Sequence, residues 1–208
     1  MTIEEFDTSK LLINAARQRD QRKFDDTLII DIDCHHYENE SMKDIVEFIE
    51  DPVLRRMGQV YSGAGGVGNS PFAVTSPGSQ DVAGRITRYP LRKMDQTPDD
   101  GTHRDIHLSL KWMDAMGVDY AMLFPSPMLL LGLHPVPEYE VAMSRAYNRW
   151  LTEKILAEES RLKTMIYLPF NDPEAAYRTV QDFGDAPGVC GFMVVSTRYK
   201  PVYDNAYM

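Results

Sequence analysis

Cysteine is scarce in this chain: only Cys34 and Cys190 occur in 208 residues, and they form no C-x-x-C pair. That excludes a disulfide framework and agrees with a reducing cytosol. Basic residues never gather into a block and the formal net charge is -9, so neither nucleic acid nor an anionic lipid surface is an expected partner. Long apolar runs are missing as well. Stretches such as "AMLFPSPMLLLGL" are short and broken by proline, too short to span a bilayer. The opening "MTIEEFDTSKLL" has no basic segment followed by an apolar one, so no signal peptide is read there. The expectation is a soluble, cytoplasmic protein with no membrane partner.

Several chemical signatures are also absent. There is no G-x-S-x-G elbow, no Cys/His nucleophile pattern and no G-x-x-x-x-G-K-[ST] loop. "GAGGVG" at 63–68 matches G-x-G-x-x-G in letters only. A dinucleotide fingerprint needs a strand before it and a helix opening from it, whereas "NSPFAVTSPGSQ" follows here. The nucleotide reading fails, and a flexible loop is expected.

What is present is a regular alternation. With 43% apolar and 25% charged residues the chain has the composition of a globular protein. "TSKLLINAARQRDQRKF" reads as a helix and "TLIIDID" as a strand. Residues 37–100 change texture: "EFIEDPVLRRM" reads as one helix, and a Gly/Ser/Pro-rich stretch follows that suits an insertion or lid. Then come a helix ending at Gly117, the strand "VDYAMLF", the long helix "PEYEVAMSRAYNRWLTEKILAEE" and the strand "LKTMIYLP". A helix capped by Asn171 or Asp172 with Pro173 in its first turn precedes the last strand, "GVCGFMVV". Strands alternating with helices imply parallel βαβ units and an α/β fold. Two domains of the reading are a helical arm over 1–26 and an α/β body over 27–208. Four strands suit either a doubly wound sheet or half of a (β/α)8 TIM barrel, and the site chemistry favours the latter.

That chemistry begins in "DIDCHHYE". Alternation along a strand places Asp31, Asp33 and His35 on one side, and Ile32, Cys34 and His36 on the other. In parallel α/β folds ligands bind where strands end, because the βα loops gather there. Asp33 and His35 therefore offer a carboxylate and an imidazole together, a pair suited to a divalent cation, and Glu38 offers a further carboxylate at the loop mouth. His36 and Cys34 are read as packing residues. In "HRDIH", His103 and His107 share a helical face, but Arg104 stands where a zinc-protease helix has glutamate. A polar helix start is the simpler reading, with His103 or Arg104 able to reach a substrate. His134 and Arg198 follow the second and fourth strands, so both should open toward the same face, Arg198 as a carboxylate clamp.

Taken together, "IIDIDCHHYE", "MDAMGVDYAMLFPS", "SRAYNRWL", "LKTMIYLPFNDPEAA" and "GVCGFMVV" followed by "PVYDNAYM" resemble the amidohydrolase superfamily. The resemblance is to its branch of aminocarboxymuconate-semialdehyde and resorcylate decarboxylases, and it runs from about residue 27 to the C-terminus. It implies a (β/α)8 barrel with a divalent metal (zinc, manganese or iron, one ion or two) at the mouth. Asp33 and His35 would supply the first-strand ligands, and residues 37–100 would cap the site. The family's later ligands lie beyond this chain, so the catalytic acid/base has no candidate here. A second copy, another polypeptide or a further chain segment is expected to complete the barrel. The expected activity is decarboxylation or hydrolysis of a small carboxylated or polar substrate. A dinuclear non-haem iron oxygenase, with Glu38 as a ligand, is the alternative on the same fold; a non-catalytic barrel subunit is the third.

Overall fold

The computed structural model describes residues 8–36, 41–63, 97–196, 198, 201 and 203–207. The expected insertion is therefore described only at its two ends, and Glu38 and the glycine-rich stretch beyond Gly63 lie outside the described residues.

Helix α1 (Thr8–Arg22) leads through a tight turn to strand β1 (Ile30–His36). Two short helices follow, α2 (Met42–Val46) and α3 (Pro52–Gly63), where the sequence suggested one. The break has a local cause. Asp51 Oδ1 accepts from the backbone N–H groups of Val53 and Leu54 at 2.8 and 2.9 Å. Capped by this carboxylate, with Pro52 in the first turn, a new helix starts there and the previous one ends.

The alternating part then runs α4 (Arg104–Met116), β2 (Tyr120–Pro125), α5 (Pro137–Trp150), β3 (Leu162–Tyr167), α6 (Pro173–Phe183) and β4 (Val189–Met193). Gly117 ends α4 in the left-handed region at φ 74°, which a side chain would strain. Asp172, rather than Asn171, caps α6 by accepting from Ala175 N–H at 3.0 Å. The long helix expected over 137–159 is α5 continued by a π-helical segment, Leu151–Leu156.

All strand pairs are parallel and the sheet order is β1-β2-β3-β4. A doubly wound sheet reverses its strand order at a switch point; the described strands show none. Right-handed crossovers then lay successive helices on the same face. That face carries the core: Trp150, Tyr147, Met143 and Leu151 are fully buried among Ile45, Leu123 and Leu162. The other face of the sheet stays open along β1 and β2, where Ile30 and Tyr120 are exposed.

The expected first strand, 27–33, is displaced toward the C-terminus. Leu28 is exposed, and the Ile29 N–H binds the Asp119 carboxylate at 2.7 Å instead of a neighbouring strand. Pairing with β2 continues to His36, opposite Pro125, with one shift of register between Asp31 and Cys34.

Candidate functional site

Strand β1 does not keep the alternation that its sequence implies. Asp31 pairs with Ala121 and Cys34 with Leu123, so three steps along β1 match two along β2. This is a β-bulge, and the extra residue flips the facing of everything before it. The Asp31 carboxylate accepts from the Asp33 N–H at 3.0 Å and satisfies the bulged backbone. Two expectations are corrected here. Asp31 lies with Cys34 and His36 in a cleft lined by Leu108 and Trp112 of α4, not beside Asp33 and His35. Ile32, expected among the helices, is 69% exposed.

Beyond the bulge the alternation holds. Cys34 and His36 are buried. His36 Nε2 lies 2.6 Å from the Tyr147 hydroxyl, and its ring is parallel to Trp150 within 8°. Asp33 and His35 occupy the open face, with side chains 80% and 37% exposed. Their polar atoms, Oδ1 and Nε2, stand 3.2 Å apart. The His35 ring leans toward Phe124 of β2, and its Nδ1 is 3.3 Å from the Ser126 hydroxyl just past the end of that strand.

A separation of 3.2 Å is that of an imidazole–carboxylate hydrogen bond, and also that of two donors sharing one divalent ion. Metal–ligand bonds of about 2.0–2.2 Å at roughly 90–110° separate neighbouring donors by about 2.9–3.5 Å. The observed separation lies within that range. Among the described residues, no third His, Cys, Asp or Glu joins them in a metal-sized group.

The other sequence candidates are placed elsewhere around the strand ends. His103 caps α4, its Nδ1 accepting from the Asp105 N–H at 3.1 Å while its ring meets Trp150 edge-on. His107 binds the Asp100 carboxylate at 3.0 Å, and this bond, with the Thr102 N–H, holds Asp100 below the usual carboxylate range. His134 is buried; Nδ1 accepts from the Val136 N–H at 3.2 Å and the ring packs on Tyr139. Burial holds its imidazole below the ordinary histidine value, against the opposing effect of the Val136 backbone.

Arg198, just after β4, lays its guanidinium over Phe170 at 4.7 Å, and Phe170 stacks in turn on Tyr207. Arg198 Nη1 is sealed from solvent and meets no hydrogen-bond acceptor among the described residues. Nearby is a group that the sequence gave no reason to single out. Glu140 is 2% exposed and accepts from Asn171 Nδ2 at 2.8 Å, while Asn171 also donates to the Gly132 carbonyl. Burial and then Glu140 push the Tyr167 phenol up, and burial does the same to Tyr207. Glu140 looks in sequence like any acid in a helical first turn. Ser126 reads only as the small residue in a strand-ending "PSP".

No family model matches this chain, and no curated protein matches it.

Proposed function

We propose that this chain carries part of the active site of a metal-dependent enzyme of the amidohydrolase type, a lyase or hydrolase acting on a small carboxylated substrate. The observation that carries the reading is the approach of Asp33 Oδ1, at the middle of β1, to His35 Nε2, one residue from its C-terminal end, on the open face of the first of four sequential parallel strands. Ligand sites in such folds gather at that end. Singly ordered parallel strands are also what the first half of a closed (β/α)8 barrel requires, and the barrel is part of the proposal.

In this reading Asp33 and His35 hold the ion and Ser126 steadies the imidazole from its other nitrogen, as outer partners of metal-bound histidines do. A bound divalent ion would supply Lewis acidity, polarising a substrate oxygen or acidifying water. Arg198 is the candidate for the substrate carboxylate: its Nη1 is desolvated with no acceptor among the described residues, and two parallel N–H bonds to a carboxylate would relieve that cost. His134, neutral and tied to its own turn, is better suited to shaping the loop after β2 than to holding charge.

Elemental analysis of the purified protein tests the reading. About one zinc, manganese or iron per subunit is expected, falling to background in Asp33→Ala and His35→Ala. A folded wild-type protein that takes up no divalent metal, even after incubation with each ion, would overturn it.

A further inference from the structure

We propose that Tyr207 is the second donor of the carboxylate subsite that Arg198 begins, so that one monocarboxylate is held between a guanidinium nitrogen and a phenol. Assigning that carboxylate to a substrate rests on the reading above; the subsite itself does not.

Separate segments bring the two donors together. Phe170 follows β3 and Arg198 follows β4, so both lie past the ends of neighbouring parallel strands, where ligands of α/β folds gather. The Arg198 guanidinium lies over Phe170, its Cζ 4.7 Å from the ring centroid. Tyr207, carried by the short turn Asn205–Tyr207, stacks on the same Phe170 at 4.7 Å, within 9° of parallel. Its ring centroid is 5.8 Å from the Arg198 Cζ, close enough for one carboxylate to touch both groups. Phe170 thus holds the cation and the phenol side by side.

Arg198 Nη1 and Tyr207 Oη are both sealed from solvent, and neither meets a hydrogen-bond partner among the described residues. They do not bond to each other either. Two buried donors without an acceptor are costly, and a carboxylate answers both, with one oxygen for each. Burial holds the Tyr207 phenol above its ordinary value, so it keeps its proton and stays a donor. Asp204 and Glu140 act on that phenol as negative charges. They weigh against a dianion, which makes a monocarboxylate the ligand class rather than phosphate. Because both atoms are sealed, entry requires local opening. The turn carrying Tyr207 closes backbone bonds of its own, from Asp204 N–H to the Pro201 carbonyl at 3.0 Å and from Tyr207 N–H to the Asp204 carbonyl at 2.9 Å, and can lift as a unit.

Formate, the smallest carboxylate, is the probe, titrated into chelator-treated protein carrying 15N-labelled arginine. The side-chain signals of Arg198 are assigned by their loss in Arg198→Lys. Saturable shifts with a Kd of about 1–10 mM are expected, near the limit for so small a ligand. Tyr207→Phe keeps the ring stack on Phe170 and removes only the hydroxyl; it should bind formate about 10-fold more weakly. Inorganic phosphate at matched ionic strength should leave the Arg198 signals in place. Asp33→Ala, which the metal reading expects to hold no ion, should take up formate as wild type does, so the two readings fail separately. Arg198 signals that ignore formate, equal affinity in Tyr207→Phe, or phosphate binding as tightly as formate would each overturn the assignment.

Discussion

His36 Nε2 meets the Tyr147 hydroxyl at 2.6 Å, whereas the adjacent His35 faces the opposite side of the sheet toward Asp33. One peptide bond separates a structural histidine from a candidate ligand. Each role follows from the side of β1 on which the ring falls.

The two histidines should therefore respond differently to substitution. His36→Ala removes a ring buried against Trp150 and Tyr147 and leaves the Tyr147 hydroxyl without this partner. Destabilisation of about 2–4 kcal/mol is expected, comparable to other large-to-small core changes. Tyr147→Phe should cost about 1–2 kcal/mol, from the stranded imidazole nitrogen. His35→Ala, on the open face, should change the urea midpoint little and abolish metal uptake.

The bulge gives a second prediction. Asp31 holds the Asp33 N–H, and so fixes where β1 changes facing. Asp31→Ala should lower stability by about 1 kcal/mol, as for other side-chain caps of a backbone donor. Metal affinity should fall with it, because the Asp33 backbone loses its anchor. Thermal unfolding and metal titration of the same variant check both halves. Unchanged metal affinity would mean that strand pairing alone sets the bulge.

Asn148 offers the largest expected effect on stability. It is fully buried in α5; its side-chain amide donates to the Tyr167 carbonyl at 2.9 Å and its oxygen accepts from the Tyr167 N–H at 3.1 Å. One side chain thus acts as a strand neighbour for the end of β3. Asn148→Ala strands both backbone groups and opens a void, and a loss of about 3–5 kcal/mol is expected in denaturant unfolding. Asn148→Asp should be no better, since a carboxylate cannot donate to the carbonyl.

The buried His134 predicts an acid-side loss of stability. Its folded-state pKa lies below the unfolded value of about 6.5. The unfolded chain then binds the extra proton first as pH falls. Above that value His134 adds no pH dependence; below it stability declines, and the decline levels off once pH has passed the lower folded-state value. Urea midpoints at pH 7.5 and 5.5 should differ less in His134→Gln than in wild type. An equal difference in both proteins would place the titration elsewhere.

Much of the fold was legible because local signals carry it. Strand and helix alternation, Gly117 as a helix stop, Pro173 in a first turn and the acid before it are short-range features, and each matches an element boundary. The Asp51-Pro52 pair was equally local, yet the apolar residues around it suggested a continuous helix and hid the cap. At the site, Asp33, His35 and the inward His36 followed from a period of two. Asp31 and Ile32 did not, because a bulge is a property of two strands in register, not of one. Glu140 and Ser126 were invisible for a related reason: burial and hydrogen bonding are set by neighbours far away in the chain.

The sequence by itself determined a parallel α/β order and put an aspartate and a histidine on one side of the second half of its first strand. Those outcomes need only side-chain periodicity and the stop signals of single elements. Tertiary structure decided which carboxylate stands beside His35, which nitrogen of that ring meets Ser126, and which acid is buried against Asn171. The reason is physical: pairing β1 with β2 inserted one extra residue, and no periodicity along a single strand can announce where its partner will force that step.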